Sequence, residues 1–226
     1  RPPPADVLAA RAPLRRYLPP TPLYHAERFG CWLKLENLQR TGSYKVRGAL
    51  NALLAARQRG DHRPVIAASA GNHAQGLAWA AYRLGVNAIT VMPRGAPNTK
   101  IAGVSHWGAT VRLHGDSYDE AKAFAAELAA QNGYRVLSAF DDPDVIAGQG
   151  TVGLEVVALG PDVVLVPIGG GGLASGVALA LKWACLSGPR AARRVRVTGA
   201  QVEGVDSMRR ALHGDRTPRE PAPTLA

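Results

Sequence analysis

The chain has 226 residues, of which 46% are hydrophobic and 25 are glycine, and it carries a formal net charge of +10. This composition excludes a disordered or collagen-like chain, and the length is sufficient for one large or two small globular domains. No apolar run approaches the length of a membrane span, and the segment Arg1–Pro4 lacks the apolar core of a signal peptide. The cysteines Cys31 and Cys185 fit no metal-ligand spacing, so we expect reduced thiols in a cytoplasmic protein.

The positive charge raises the question of nucleic-acid binding. The arginines are scattered, with short clusters such as Arg193–Arg194, and the aromatic residues, 6% of the chain, do not alternate with basic ones. Proteins that stack bases combine aromatic and basic residues on one surface. We therefore expect no nucleic-acid partner and interpret the charge as an arginine-rich surface.

Apolar periodicity and turn signals predict alternating strands and helices along the chain. This alternation is typical of βαβ units around parallel sheets. Ser117, with Glu120 three residues on, predicts a capping box at one helix start. The predicted strands are residues 31–36, 64–68, 87–92, 110–113, 135–137, 163–168 and 195–200. The predicted helices are residues 5–18, 47–59, 73–84, 99–107, 117–132, 144–159, 173–187 and 206–212.

A single lysine, Lys45, lies in a turn of small residues within Thr41–Ala49. Lysines are a small minority of the 27 basic residues, so a lysine at this place is a candidate for amine chemistry. A lysine can lose its proton and attack a carbonyl, whereas an arginine stays charged. A solvated lysine at a helix start is the alternative that this stretch alone leaves open.

The strongest local signal is a buried strand that leads directly into four glycines, Gly169–Gly172, and then into a helix. Without Cβ atoms, backbone N–H groups can approach an anion, and the helix N-terminus adds partial positive charge. The P-loop pattern does not occur, and the dinucleotide fingerprint lacks its acidic residue about 20 residues on. A single phosphate monoester fits best, with a plain tight turn as the alternative.

A second strand-to-helix turn, Ser69–His73, offers backbone and side-chain donors that suit a carboxylate. Taken alone, it is an ordinary helix N-terminus. Together with the lysine and the glycine turn, it completes a set of an amine, a phosphate site and a carboxylate site.

In these segments the chain resembles the fold-type II pyridoxal-phosphate enzymes, and within them the threonine/serine dehydratases (threonine ammonia-lyases). The resemblance implies an α/β fold of the tryptophan synthase beta-like type, with two domains of parallel-rich sheets flanked by helices. We expect residues 1–46 and 150–226 to form a large cofactor-binding domain, and residues 47–149 a small α/β domain. The matching motifs occur in family order and are Leu33–Gln39, Thr41–Ala49, Ser69–Gly76, Phe140–Asp142, Ile146–Thr151 and Gly169–Gly172.

The resemblance implies pyridoxal 5′-phosphate as the cofactor, with Lys45 as the lysine that forms its Schiff base. Tyr44 takes the place of a family aromatic beside the ring, and Asn72 would donate a hydrogen bond to the ring hydroxyl. The residues implied for the substrate carboxylate are Ser69, Ala70, Gly71, Asn72 and His73. The residues implied for the phosphate are Gly169, Gly170, Gly171, Gly172 and Leu173.

The reaction that the resemblance implies is dehydration and deamination of L-threonine or L-serine to a 2-oxo acid and ammonia, with the freed Lys45 amine as the base. Ala70 stands where similar serine racemases carry a second serine, so we expect poor racemisation, and β-replacement enzymes resemble the chain less. Family members that bind a divalent ion place acids at positions that are Gln201 and Ser207 here. We therefore expect no metal.

Catalytic domains of this family are longer, and the chain stops at Ala226 without the serine or cysteine expected beside the pyridine nitrogen. We expect either a C-terminally truncated enzyme or a catalytically silent remnant that retains the cofactor cradle or only the fold. The resemblance also implies a cytoplasmic homo-oligomer, a dimer or tetramer, with a small amino acid as substrate. Its context would be amino-acid metabolism, such as isoleucine biosynthesis.

Overall fold

The structure is a computed structural model that describes residues 2–187, 195–215 and 217. Helices and strands alternate within these ranges and form an antiparallel hairpin and two parallel sheets. The helices are α1 (Pro4–Arg15), α2 (Lys45–Gln58), α3 (Asn72–Leu84), α4 (Asn98–Ser105), α5 (Tyr118–Asn132), α6 (Pro143–Val156), α7 (Gly172–Ser187) and α8 (Ser207–Leu212). The strands are β1 (Leu23–Ala26), β2 (Cys31–Lys34), β3 (Val65–Ala68), β4 (Ala88–Met92), β5 (Thr110–Leu113), β6 (Arg135–Val136), β7 (Val163–Pro167) and β8 (Arg196–Ala200).

The sequence pattern predicts that helix α2 begins at Arg47, but in the structure it begins at Lys45. Ser43 Oγ accepts the Lys45 N–H at 3.3 Å, and the Tyr44 carbonyl accepts the Arg47 N–H at 3.0 Å. These bonds extend the helix backwards into the turn of small residues. Lys45 is therefore the first helical residue, and its position is set by the helix axis.

Helix α1 ends at Arg15, before the predicted end at Leu18, and Pro13 lies inside its last turn. Proline lacks an N–H and its ring crowds the preceding turn, so it favours helix termination. Strand β2 also ends early, at Lys34, because residues Glu36–Leu38 form a short 3-10 turn.

The four-stranded parallel sheet has the strand order β5-β4-β3-β6 and is covered by helices on both faces. In its register Val65 lies opposite Ala88, and Ile66 lies opposite Val136. Helix α5 packs on one face, where Ala121 belongs to the same core cluster as Ile66, and α2 and α3 pack on the other. Burial on both faces explains the continuous apolar runs of β3 and β4.

The second parallel sheet pairs β7 with β8, with Val164 opposite Val197. Val166 packs with α6 and α7, whereas Val163 and Leu165 point outward and are 51% and 68% exposed. The carboxyl end of β7 leads into the glycine turn and α7. These sheets and their helices confirm the predicted α/β fold with parallel-rich sheets flanked by helices.

Helix α6 is helical despite three glycines, because it contacts its neighbours backbone to backbone. A Cβ atom on Gly148 would lie 2.5 Å from the Arg47 carbonyl oxygen on α2, and one on Gly150 would lie 2.7 Å from the Gly176 carbonyl oxygen on α7. The low helix propensity of glycine is offset here by close helix packing.

Arg47 is 3% exposed and lies between two carboxylates. Its guanidinium donates two hydrogen bonds of 2.8 Å to Glu36, and bonds of 2.7 and 3.0 Å to Glu155. Lys34 pairs with Glu155 from the other side, and Thr21 donates to Glu36. Burial alone would lower the pKa of Arg47, but its hydrogen bonds to Glu155 and Glu36 outweigh burial and raise it.

This network joins the hairpin, α2 and α6 at the end of α2 that carries Lys45. Its two cations and two carboxylates give no net charge, which allows four ionised groups to be buried together.

We predict that Arg47→Met lowers the free energy of unfolding by about 3–5 kcal/mol, because it leaves two buried carboxylates without their shared partner. The matched control is Arg59→Met at the C-cap of the same helix, since Arg59 is 56% exposed and pairs with Asp144 at the surface. We expect that change to cost less than about 1 kcal/mol. Urea unfolding of both variants measures the difference, and equal losses would contradict a dominant role for the buried network.

Candidate active site

Lys45 presents its amine towards the segment that follows β6. Lys45 Nζ donates a 2.8 Å hydrogen bond to the Ala139 carbonyl and lies 5.4 Å from the centre of the Tyr44 ring. Burial lowers the pKa of Lys45 from 10.5 to about 8, and burial also raises the pKa of Tyr44. A substantial fraction of this amine is therefore uncharged near pH 8, which is the form that attacks carbonyl carbons.

The turn Ser69–His73 lies at the carboxyl end of β3 and the start of α3. The Ser69 N–H bonds the Val91 carbonyl at 3.0 Å, and Ser69 Oγ accepts the Gly71 N–H at 3.2 Å. Ala70 is half-buried against the core, and Asn72 is exposed as the first residue of α3. Since the first N–H groups of a helix have no partners within it, this turn can accept a carboxylate.

The side chain of His73 is buried behind this turn and is 3% exposed. Its Nε2 lies 3.3 Å from the Leu137 carbonyl, so Nε2 carries the hydrogen, because a carbonyl can only accept. Nδ1 has no hydrogen-bond partner among the described residues. Burial, together with the nearby charge of Lys45, lowers the pKa of His73 from 6.5 to about 4, so the imidazole is neutral at pH 7.

The glycines of the turn Gly169–Gly172 are needed for different reasons, one for its backbone conformation and two for lack of space. Gly171 has a φ of 84°, a left-handed conformation that favours glycine. A Cβ atom on Gly170 would overlap the Phe140 ring, and one on Gly172 would lie 2.9 Å from the Phe140 backbone. Gly169 has no atom within 4 Å of such a position. The turn is therefore packed on Phe140 on one side and open at Gly169, where a phosphate can approach.

All three predicted parts of the site meet at residues Leu137–Phe140. Leu137 contacts His73, Ala139 accepts from Lys45, and Phe140 packs against the glycine turn. The sequence predicts Leu137 as the end of a strand and Phe140 as the start of the motif Phe140–Asp142, and it assigns neither residue a contact in the site. Because β6 lies beside β3 in the sheet, the chain leaves β6 at the same sheet end as the Ser69 turn, which brings the segment into the site.

Gln149 is a polar residue of the site to which the sequence analysis assigns no role. It lies on α6 with no exposed surface, and its Nε2 is 3.4 Å from the Ala139 carbonyl oxygen. Its Oε1 has no partner among the described residues and lies 3.0 Å from a Cβ position on Gly172. A lone amide within the glycine-rich stretch Ile146–Thr151 was the signal that could have identified it.

At the two positions where related metal-binding enzymes carry acids, this chain has Gln201 and Ser207. Gln201 Oε1 accepts the Arg209 N–H at 2.8 Å, and Ser207 is the first residue of α8. Within the described ranges, no group of three or more histidine, cysteine or acidic side chains could hold a metal ion.

Two other sequence expectations fall partly outside the described residues. Arg193–Arg194 lies outside them, as does the side chain of Cys185, whereas Cys31 is a free thiol. In the part of the chain that the structure describes, no helix has the length and apolar character needed to cross a membrane.

An α/β fold that brings a buried lysine amine, a helix-start turn and a glycine turn together is that of the fold-type II pyridoxal-phosphate enzymes. Residues 14–226 match the family of pyridoxal-phosphate dependent enzymes, and the chain belongs to this family.

The similarities with individual proteins agree with the resemblance to threonine/serine dehydratases. The chain is 48% identical over 198 residues to the L-threonine ammonia-lyase of Thermotoga maritima, covering 86% of this chain and 48% of that protein. It is 43% identical over 198 residues to the catabolic L-threonine dehydratase of Escherichia coli K12, covering 86% and 58%. The crystal structure of a threonine deaminase from T.th. aligns with a TM-score of 0.85 at 40% identity, covering 98% of this chain and 72% of that chain. The chain spans about half the length of the curated relatives it matches.

The residues present fit the family's cofactor, pyridoxal phosphate. An amine with a lowered pKa suits the cofactor aldehyde, and an open glycine turn at the start of α7 suits its phosphate.

We predict that Gly170→Ala destabilises the protein by about 1–3 kcal/mol, because the new methyl group overlaps the Phe140 ring and forces it to move. The control Gly169→Ala meets open space, so we expect a change below about 1 kcal/mol. Combining Gly170→Ala with Phe140→Ala should make the two costs non-additive in thermal unfolding. Additive costs would show that the ring and the turn do not constrain each other.

We predict that His73 makes the protein acid-sensitive. Its folded pKa of about 4 lies below the ordinary value of 6.5, so the stability is present above pH 6.5 and is lost as the pH falls towards 4. Between pH 7 and pH 4.5 this loss amounts to about 2–3 kcal/mol. The difference in urea stability between these pH values should shrink in His73→Gln and persist in the control His62→Gln, whose side chain is exposed. An unchanged difference in His73→Gln would contradict the prediction.

Proposed function

We propose that this chain is the catalytic part of a pyridoxal-phosphate-dependent threonine ammonia-lyase, which converts L-threonine or L-serine to a 2-oxo acid and ammonia. The observation that carries the proposal is the Lys45 amine, whose pKa burial lowers to about 8. It is held at residues Leu137–Phe140, where the glycine turn and the start of α3 also meet. The 48% identity to a protein named L-threonine ammonia-lyase supports this substrate class.

In this proposal Lys45 Nζ would hold the cofactor at its aldehyde group, and backbone N–H groups of Gly169–Gly172 and Leu173 would bind its phosphate. Tyr44 would lie beside the ring, and Asn72 would donate a hydrogen bond to the ring hydroxyl. When bound, the cofactor supplies an electron sink that makes the Cα proton of an amino acid removable.

The chain's own residues would bind the substrate carboxylate and remove the Cα proton. The turn Ser69–His73 holds the substrate carboxylate through backbone N–H groups, which fixes the direction of the Cα–H bond. The freed Lys45 amine takes the Cα proton, and a pKa near 8 keeps enough of it uncharged to act as a base. Loss of water from the substrate, followed by hydrolysis that releases ammonia, gives the 2-oxo acid.

Ala70 favours dehydration over racemisation. Racemisation needs a proton donor on the face of the substrate opposite the lysine, and a methyl side chain carries no transferable proton. Ala70 is also half-buried against the core, so the position is used for packing.

The finer points of the proposal rest on the resemblance. They are a large domain of residues 1–46 and 150–226 with a small domain of residues 47–149, a cytoplasmic location, and a homo-oligomeric state of two or four copies. A role in isoleucine biosynthesis belongs here too, although the Escherichia coli relative is named as a catabolic enzyme.

We predict that the purified protein gains a visible absorbance band with added pyridoxal phosphate and forms 2-oxobutanoate from L-threonine. Lys45→Ala should abolish the band and reduce turnover at least 1000-fold, roughly the loss typical for removal of a reacting group. The matched control is Lys122→Ala on α5, whose side chain is exposed, and it should retain both.

The same measurements separate the catalytic proposal from a silent remnant. A protein that gains the band but forms no 2-oxo acid from L-threonine or L-serine would be a cofactor-binding remnant. A protein that stays colourless would contradict the proposal altogether.

A further inference from the structure

Gln149 lies between the two halves of the candidate site. Its Nε2 approaches the Ala139 carbonyl oxygen to 3.4 Å, and the same oxygen accepts the 2.8 Å hydrogen bond of Lys45 Nζ. Its Oε1 lies beside Gly172 at the start of α7. One side-chain amide therefore contacts both the acceptor of the lysine amine and the glycine turn.

The backbone that carries Gln149 is held closely. Gly148 contacts the Arg47 carbonyl on α2, and Gly150 contacts the Gly176 carbonyl on α7. These contacts on either side leave the amide little freedom to move, and it has no exposed surface. A polar side chain fixed in this way holds its partner's geometry as well as its own.

We propose that Gln149 is a positioning residue for the Lys45 amine, acting through the shared Ala139 carbonyl. A carbonyl oxygen has two lone pairs, so the Ala139 oxygen can accept from the Gln149 amide and from Lys45 Nζ at the same time. The amide thus fixes the point to which the free amine returns whenever it is detached from the cofactor. This inference rests on the proposed function, because it assigns Lys45 the role of the reacting amine.

Loss of the Gln149 amide is expected to raise the pKa of the Lys45 amine. A second donor on the Ala139 oxygen weakens that oxygen as an acceptor for an ammonium group, so removing it favours the charged form. The other titratable groups near the amine are Tyr44 and His73; His73 is neutral at pH 7, and the raised pKa of Tyr44 keeps it neutral as well. Loss of Gln149 should therefore raise the pKa of Lys45 from about 8 towards 10.5.

The test measures the amine directly in the cofactor-free protein. Trace acetylation across pH 6–10, with peptide mass spectrometry, gives the titration midpoint of Lys45, and exposed Lys100 and Lys122 serve as internal references. Gln149→Met keeps the length of the side chain and removes its hydrogen bonds. We expect its midpoint to rise by about one pH unit, which lowers the reactive fraction at pH 7.5 by about tenfold. Added pyridoxal phosphate should then develop its absorbance band correspondingly more slowly.

The matched control is Asn51→Leu, which removes another buried amide that donates to a backbone carbonyl, that of Asp144, at 2.7 Å. It should lower stability and leave the Lys45 midpoint unchanged. Gln149→Leu serves as a second variant of similar volume, which guards against poor folding of Gln149→Met. An unchanged midpoint in the Gln149 variants, or an equal shift in Asn51→Leu, would overturn the inference.

These outcomes are separable from those of the proposed function. A wild-type protein that never gains the absorbance band counts against the proposed function, while acetylation of Lys45 still reports on Gln149.

Discussion

The position of Lys45 depends on a charge cluster around Arg47, two residues further along the same helix. Arg47 satisfies Glu36 and Glu155 at once, so the hairpin, α2 and α6 meet at one neutral cluster. Isolated charges would be too costly at such burial, and removal of Arg47 would take away the ion-pair partner that Glu36 and Glu155 share. The first turn of α2 is therefore held by this cluster and by the hydrogen bond from the Lys45 N–H to Ser43 Oγ. Because this turn is held in place, the Lys45 side chain stays buried, and burial lowers its pKa.

The chemistry of the candidate site is distributed over motifs that are far apart in sequence, and residues Leu137–Phe140 connect them. Two of the connections run through main-chain carbonyls, of Leu137 and Ala139. The third is steric, since the Phe140 ring occupies the space that side chains at Gly170 and Gly172 would need. Because any residue supplies a main-chain carbonyl, only the aromatic position of this segment requires a particular type of residue. The path of the backbone through residues 137–140 therefore assembles this site, and no recognisable side-chain motif in the segment marks it.

Much of the fold could be predicted from the sequence, because period and turn residues are local signals. The strand β5 has the predicted bounds. Half of the predicted capping box forms: Ser117 Oγ accepts the Glu120 N–H at 3.2 Å, but the Glu120 carboxylate accepts the N–H of Asp116 and not that of Ser117. The predicted start of α2 was two residues late, because hydrogen bonds from Lys45 N–H to Ser43 Oγ and from Arg47 N–H to the Tyr44 carbonyl form within the stretch that the small residues mark as a turn. The contacts of Gln149 and of the Arg47 network could not be predicted, since they join residues ten or more positions apart. Helix periodicity places Gln149 on α6 but contains no information about which carbonyl it will face.

The glycines that let α6 lie against both α2 and α7 have a mechanical consequence. Where a glycine faces a neighbouring helix, the two backbones lie closer together than ridges of side chains would allow. Gly148 and Gly150 face α2 and α7 from nearly the same level of α6. Helix α6 therefore acts as a fixed spacer between α2 and α7, and a side chain at either glycine would force the facing helix away from it.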